Sequence, residues 1–232
     1  VYKRQSLHII AHIENAFQTK FGIPRQSGLV SSLQSKIIFE SSYRNPDAFR
    51  GLEGYSHIWL IWQFSDAIRE NWSPTVRPPR LGGNQRMGVF ATRSPFRPNP
   101  IGLSVVQLDK IVWNEPESPV LYVNGADLMN GTPIYDIKPY LPHIDSHPDA
   151  SGGFAVQVAD YALQVVFPNQ WLAQVPANLQ RALCEILEQD PRPPYQHDPN
   201  RVYGFYFANL EIKFTVQNNI LTVCSVMHQI EK

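Results

Sequence analysis

Residues 88–104, GVFATRSPFRPNPIGLS, limit the fold of this chain more than any other stretch. Pro95, Pro98 and Pro100 fix φ and push the residues before them towards extended backbone, so no helix runs through the segment and ordering it costs little entropy. Val89, Phe90 and Ala91 read as a strand entering it. Arg93 and Arg97 stand in the loop without an acidic neighbour, and Ser94, Phe96 and Asn99 are held with them before any ligand arrives. A stiff, basic loop of this kind is either a binding site or a Pro-rich surface connection whose arginines face water.

Charge favours the first. The 232 residues are neutral overall, yet residues 1–108 hold 13 Lys and Arg against 6 Asp and Glu, and the remaining residues hold 7 against 14. Between positions 71 and 108 there are five arginines (Arg77, Arg80, Arg86, Arg93, Arg97), no lysine and no acid. Arginine without lysine suits fixed, bidentate recognition of phosphate or carboxylate, which points to a polyanionic partner; alternatively the acidic half folds over these residues and cancels their field.

The first 150 residues carry strand patterns without intervening helices. Strands are expected over 6–13, 35–40, 103–112 and 120–128, with a helical turn over 46–49. The run 52–64, LEGYSHIWLIWQF, is the most apolar of the chain and reads as a central strand buried on both faces, with Trp59 and Trp62 in the core. Ser65 and Asp66 end it, where a polar side chain either meets a ligand or caps a short helix. Residues 72–87 hold three prolines and a Gly–Gly pair and read as a long, extended excursion. Asn130–Gly131 is a tight turn into TPIYDIKPYLP, where Asp136 and Lys138, two apart, face the same side of a strand. The polar loop after Pro142 contains His143, Asp145, His147 and Asp149, read as solvated because no element fixes them around a metal. His8 and His12 read as structural. From 176 to 188 the apolar positions mark one face of a helix, and strands over 202–216 and 220–227 follow, with a turn at Asn218–Asn219. The organisation expected is one domain over 1–160 and a small α+β domain over 165–232.

Cys184 and Cys224 have no CxxC spacing and apolar neighbours, which reads as buried free thiols in a reducing cytoplasm. No signal-peptide pattern opens the chain, and its longest strictly apolar run, 58–62, falls far short of the roughly 20 residues of a membrane span. Fingerprints of dinucleotide binding (GxGxxG), of a phosphate loop (GxxxxGK[ST]) and of a hydrolase nucleophile (GxSxG) are absent from the sequence, and no Cys–His pairing points to nucleophilic catalysis.

GVFATRSPFRPNPIGLS, the preceding RPPRLGGN at 77–84, GTPIYDIKPY at 131–140 and DPRPPY at 190–195 closely resemble the TsaA-like family, also called TrmO. The resemblance covers nearly the whole chain. It implies a mainly β protein, with an N-terminal small β-barrel of non-Rossmann type that carries the active site, followed by a small α+β C-terminal domain. It also implies a homodimer in the cytoplasm, with no membrane association, that uses S-adenosylmethionine to methylate the 6-amino group of threonylcarbamoyl-adenosine at tRNA position 37. On this resemblance Pro24, Arg25, Gln26, Ser65, Asp66, Arg93, Leu103 and Met129 to Thr132 (Met129, Asn130, Gly131, Thr132) form the cofactor pocket, with Arg93 on the cofactor carboxylate. Asp136 accepts the proton or hydrogen bond of the adenine amine, Asn99 is the other candidate, and Lys138 stands at the active-site rim. Arg77, Arg80, Arg86 and Arg97 are the candidates for the RNA anions, and Phe96 either stacks on a base or belongs to the core. One departure is visible: where the family commonly has Asp-Gly-Thr, this chain has Asn130-Gly131-Thr132, so backbone contacts from the turn remain and a charged one does not. Two other readings of the same arginines are a non-catalytic RNA-binding barrel and an enzyme acting on a small anionic substrate.

Overall fold

The computed structural model describes residues 6–78, 85–158, 161–193, 196 and 198–228. Strands β1 (Ala11–Glu14), β2 (Gln34–Phe39), β3 (His57–Gln63), β4 (Thr75–Val76), β5 (Met87–Gly88), β6 (Ile101–Val112), β7 (Val120–Asn124) and β8 (Pro133–Pro139) make up the first part of the chain. Six of them close into an antiparallel barrel in the order β1-β2-β7-β6-β3-β8. Alternation directs the closure. On β3 every second side chain, Ile58, Leu60 and Trp62, is buried, and these meet Ile13, Ile37, Val106, Leu121, Val123 and Ile134 from the other strands in one core.

A small barrel has one inner face, which corrects the expectation of a strand buried on both. Residues Leu52–Gly54 form a 3-10 turn, β3 starts at His57, and Trp59 lies half-buried outside the barrel, its indole N–H donating to Asp145 Oδ2 at 3.0 Å. The first strand begins at Ala11, several residues later than expected. Val89–Ala91 is a 3-10 turn, not a strand: the backbone N–H and the hydroxyl of Thr92 both donate to the Val89 carbonyl, at 3.1 and 2.8 Å, and curl the chain there. The excursion before it is not without regular structure, because β4 and β5 pair antiparallel across it. Pro46–Phe49 is the helical turn expected, capped by the Asn45 side chain.

Trp62 fits only because residue 102 is glycine. A Cβ there would lie 2.2 Å from Trp62 Cε2, and that ring is pinned by its N–H donating to Ser104 Oγ at 2.9 Å. Gly102→Ala is expected to destabilise the protein by about 1–3 kcal/mol. In calorimetry that lowers Tm by roughly 3–10 °C for a chain of this size. An unchanged Tm would mean that the ring is not held.

Helices α1 (Pro142–Asp145), α2 (Asn169–Leu172) and α3 (Ala177–Glu188) and strands β9 (Gln164–Val166), β10 (Tyr203–Phe207), β11 (Leu210–Gln217) and β12 (Ile220–His228) complete the chain. The last four strands form a sheet ordered β10-β11-β12-β9, with β9 parallel to β12. Against it α3 lays the face read from its periodicity, and Ala182, Leu183, Ile186 and Leu187 are buried. The single strand expected over 202–216 is a hairpin that turns at Ala208, where φ is 52°. The turn at Asn218–Asn219 is as expected, both residues being left-handed. Cys184 is only partly buried and Cys224 is exposed, because Cys224 sits on the outer face of β12 while its neighbour Val223 points inward.

The segment between β1 and β2 belongs to both halves. Phe17, Val30 and Leu33 are buried in the same core as Leu183, Phe205 and Phe207. The Ser32 N–H and hydroxyl donate to Glu185 Oε2 at 3.1 and 2.8 Å, and the Ala208 N–H donates to the Ala16 carbonyl at 2.9 Å. Gly22, at φ +85°, lies so close to Phe205 that a Cβ would stand 2.5 Å from its ring. On the barrel side the Gly28 N–H donates to the Gly125 carbonyl at 2.8 Å. Residues 21–29 are thereby strung between the barrel and the C-terminal sheet.

Candidate active site at one end of the barrel

Strand directions gather the loops. β1, β3 and β7 run towards one end of the barrel, and β2, β6 and β8 leave from it, as the pairs Gln63↔Ile101, Trp62↔Ile134, Ala11↔Ile134 and Gln34↔Asn124 show. The segments 15–33, 64–100 and 125–132 therefore all emerge at that end. Pro24, Arg25, Gln26, Ser65, Asp66, Arg93 and Met129 to Thr132 lie on these segments, and Leu103 is the third residue of β6. The fold brings them to one end of the barrel although up to 108 positions separate them.

Arg93, exposed, donates through Nη1 to Gln26 Oε1, which ties the Pro-rich loop to the 24–26 loop. Pro24 is buried, and Leu103 projects from the barrel wall with 55% of its surface accessible. Asn130 is fixed from both sides: its Oδ1 accepts from the Asn15 N–H at 3.0 Å and its own N–H donates to the Phe17 carbonyl at 2.8 Å. Gly131 is left-handed at φ 77°, and its N–H donates to Ile13. Thr132 is buried, with its hydroxyl on the Met129 carbonyl. Ser65 and Asp66 form an exposed 3-10 turn that no side chain caps, so Asp66 is free of the capping role that the sequence left open. Asp66 and Met129 line the barrel side of a cleft of about 730 Å³, whose other wall is β10 and β11.

Asp136 and Lys138 lie apart from this cluster, along β8. They share the outer face, as their spacing requires, and form an exposed ion pair of 3.0 Å. Asp136 stands opposite Ile61, and Ile61 opposite Leu103, so one row across β8, β3 and β6 joins the candidate acceptor to the candidate cofactor wall. Two strand spacings make that separation about 10 Å. Asn99 is exposed immediately before β6, where the Pro100 carbonyl accepts from Phe64.

The RNA candidates scatter. Arg77 and Arg86 are exposed on the excursion that carries β4 and β5, Arg97 donates to the Thr92 carbonyl at 3.2 Å and braces its own loop, and Arg80 lies outside the described residues. Phe96 is 40% exposed, outside the core, and takes the Arg69 guanidinium 4.0 Å from its ring centroid. Asp145, one of the four polar residues of the loop after Pro142, is held by Trp59 and by the Leu141 N–H. Among the described residues no group of three or more His, Cys, Asp or Glu is placed to hold a metal, and no helix is long and apolar enough to cross a membrane.

Sequence reading missed Asp127 and Ser104. Ser104 is buried, accepts from Trp62 and donates to Asp127 Oδ1 at 2.5 Å. Burial pushes the Asp127 carboxyl above the usual carboxylate range, against the Ser104 hydrogen bond, the nearby Arg93 charge and the Ser27 N–H, which favour its ionised form. The one signal was an acid between Ala126 and Leu128, both buried, in GADLMNGT.

The N-terminal domain of tRNA-methyltransferase O matches residues 12–146, and its C-terminal domain matches 154–229. A tRNA (adenine(37)-N6)-methyltransferase of Escherichia coli is 41% identical over 215 residues, 89% of this chain and 91% of that one. A Pseudomonas aeruginosa protein named provisionally as an S-adenosylmethionine-dependent methyltransferase is 39% identical over 89% of this chain and 90% of its own. A crystal structure of TrmO from P. aeruginosa superposes with a TM-score of 0.78 at 31% identity, covering 98% of this chain and 99% of that one. With both domain families matched in order, a relative this similar and a shared fold, the chain belongs to the tRNA-methyltransferase O family.

Proposed function

We propose that this protein is an S-adenosylmethionine-dependent tRNA methyltransferase acting on the N6 amine of adenosine 37, and that its substrate is the threonylcarbamoyl form of that nucleoside. The observation that carries the reading is the convergence of the 24–26, 65–66, 93, 103 and 129–132 segments at one barrel end, in a chain whose relatives bear this activity in their names.

The residues present suit the methyl donor. Arg93 offers a guanidinium to a carboxylate, Leu103 an exposed apolar side chain to a base, and the left-handed Gly131 turn a backbone close to the ligand. When bound, S-adenosylmethionine supplies the methyl group from its sulfonium centre. The chain's own residues supply position: the Arg93–Gln26 contact fixes the loop, and Asp136 receives the proton or hydrogen bond of an amine whose lone pair is delocalised into the ring. Arg77, Arg86 and Arg97 are the candidates to bind the anions of the anticodon loop, together with Arg80, which lies outside the described residues. The exposed apolar side chains Phe90 (72%), Ile68 (60%), Leu103 (55%) and Trp72 (51%) lie in or next to the site segments, as in a homodimer whose site adjoins its interface. The protein works in the cytoplasm, where its RNA is.

Equilibrium binding of labelled S-adenosylmethionine tests this. Saturable binding that S-adenosylhomocysteine displaces is expected. Its absence, with tRNA still bound in a salt-dependent manner, would leave an RNA-binding barrel instead.

A further inference from the structure

Among the described residues Asp127 is a carboxylate without an ion-pair partner. It lies partly buried at the loop end of the barrel, between the buried side chains Ala126 and Leu128. Ser104 donates to Oδ1 at 2.5 Å and the Ser27 N–H favours the ionised carboxylate, while among the described residues no Lys, Arg or His nitrogen comes within 4.0 Å of it. Arg93 acts on it from farther away and spends a hydrogen bond on Gln26. A burial that raises a carboxyl's proton affinity and leaves the ion unpaired is a cost that a fold alone does not explain.

The position supplies the reason. Asp127 is three residues from Asn130, beside Ser27 of the 24–27 segment and within the field of Arg93, so three segments of the candidate cofactor site meet around it. A cation and an anion that act on each other at one site without pairing match a zwitterion. We propose that Asp127 binds the α-ammonium of the methyl donor's amino acid moiety while Arg93 binds its carboxylate, which makes Asp127 the residue that selects a complete α-amino acid end. This rests on the methyl-donor reading above. Ser104, held by Trp62, is the positioning residue that aims the carboxylate, and Gly102 lets Trp62 stand there.

The test is calorimetric binding of two ligands, S-adenosylhomocysteine and its deaminated analogue, which keeps the carboxylate and lacks the amine. The wild-type protein is expected to prefer the amine-bearing ligand by about tenfold or more, and Asp127→Asn to abolish that preference while binding the deaminated ligand as the wild type does. Arg93→Ala is expected to weaken both ligands. If the wild type binds S-adenosylhomocysteine without preferring it, or if Asp127→Asn weakens both ligands equally, the assignment of Asp127 is overturned and the methyl-donor reading stands. If the wild type binds neither ligand, the methyl-donor reading falls and this assignment with it. A wild type that lacks the preference overturns the assignment even where the Asp127→Asn protein does not fold.

Discussion

Asp136→Asn is expected to lower the rate of methyl transfer by about 10²–10⁴-fold while leaving binding of the methyl donor nearly unchanged. An adenine amine is a poor nucleophile, and on the function proposed Asp136 is the placed acceptor that improves it. Asp136 sits on the outer wall of β8, two strands from Leu103, where its Oδ1 accepts from the Ile137 N–H at 3.0 Å and its Oδ2 is paired with Lys138. The asparagine keeps the size of the side chain and the Ile137 contact but removes the charge and the proton acceptor. Single-turnover measurements with donor and tRNA saturating separate the chemical step from binding. A loss smaller than about threefold would take the role from Asp136 and give it to Asn99, the other candidate, which is exposed just before β6.

Arg192→Ala is expected to destabilise the protein by about 3–5 kcal/mol, the cost of leaving a buried charge without its partner. Arg192 and Asp190 form a two-point ion pair, with Nε to Oδ1 and Nη2 to Oδ2 both at 2.7 Å, each side chain only 8% exposed, and the Tyr161 hydroxyl completes it at 2.8 Å from Oδ2. The Tyr161 hydroxyl links the pair, in the chain after α3, to the approach to β9. Burial pushes the Asp190 carboxyl up, but the hydrogen bonds from Arg192 and Tyr161 outweigh it and hold the group below the usual carboxylate range. A depressed carboxyl stabilises the fold at any pH above the ordinary carboxylate range, and that contribution is lost as pH falls through the lowered value. The gap in Tm between wild type and Arg192→Ala is therefore expected to be large at neutral pH and to shrink in acid. A gap that did not change with pH would mean that the pair is not what holds the segment. Replacing both residues with apolar or neutral ones is expected to restore much of the loss.

How much was legible in advance follows from which interactions are local. The prolines of 88–104 are a local constraint, so the stiffness of that loop was readable, as was the helical face of α3 and the shared side of Asp136 and Lys138. Barrel strands were recognisable by β-branched and aromatic alternation, but burial on both faces was inferred for β3 because its outer side carries Trp59 and Ile61, which look like core until the partner strands are known. The hairpin at Ala208 was hidden because its turn, Ala208–Asn209, carries no Gly or Pro and apolar residues continue on both sides of it in YGFYFANLEIKFTV. Phe17, Val30 and Leu33 share a core with residues that begin 130 positions farther along the chain, at Leu163, and no local pattern announces such a partner. Asp127 escaped for the same reason: Ser104, Arg93 and Ser27 come to it from three distant segments.

The measurement that bears most directly on the function is methyl transfer from labelled S-adenosylmethionine to tRNA with and without the threonylcarbamoyl group on adenosine 37, followed by mass analysis of the nucleosides. A gain of one methyl on the threonylcarbamoylated nucleoside alone is expected. No incorporation into either tRNA, or a methyl on a different nucleoside, would contradict the function proposed and the roles given to Asp136, Arg93 and Asp127.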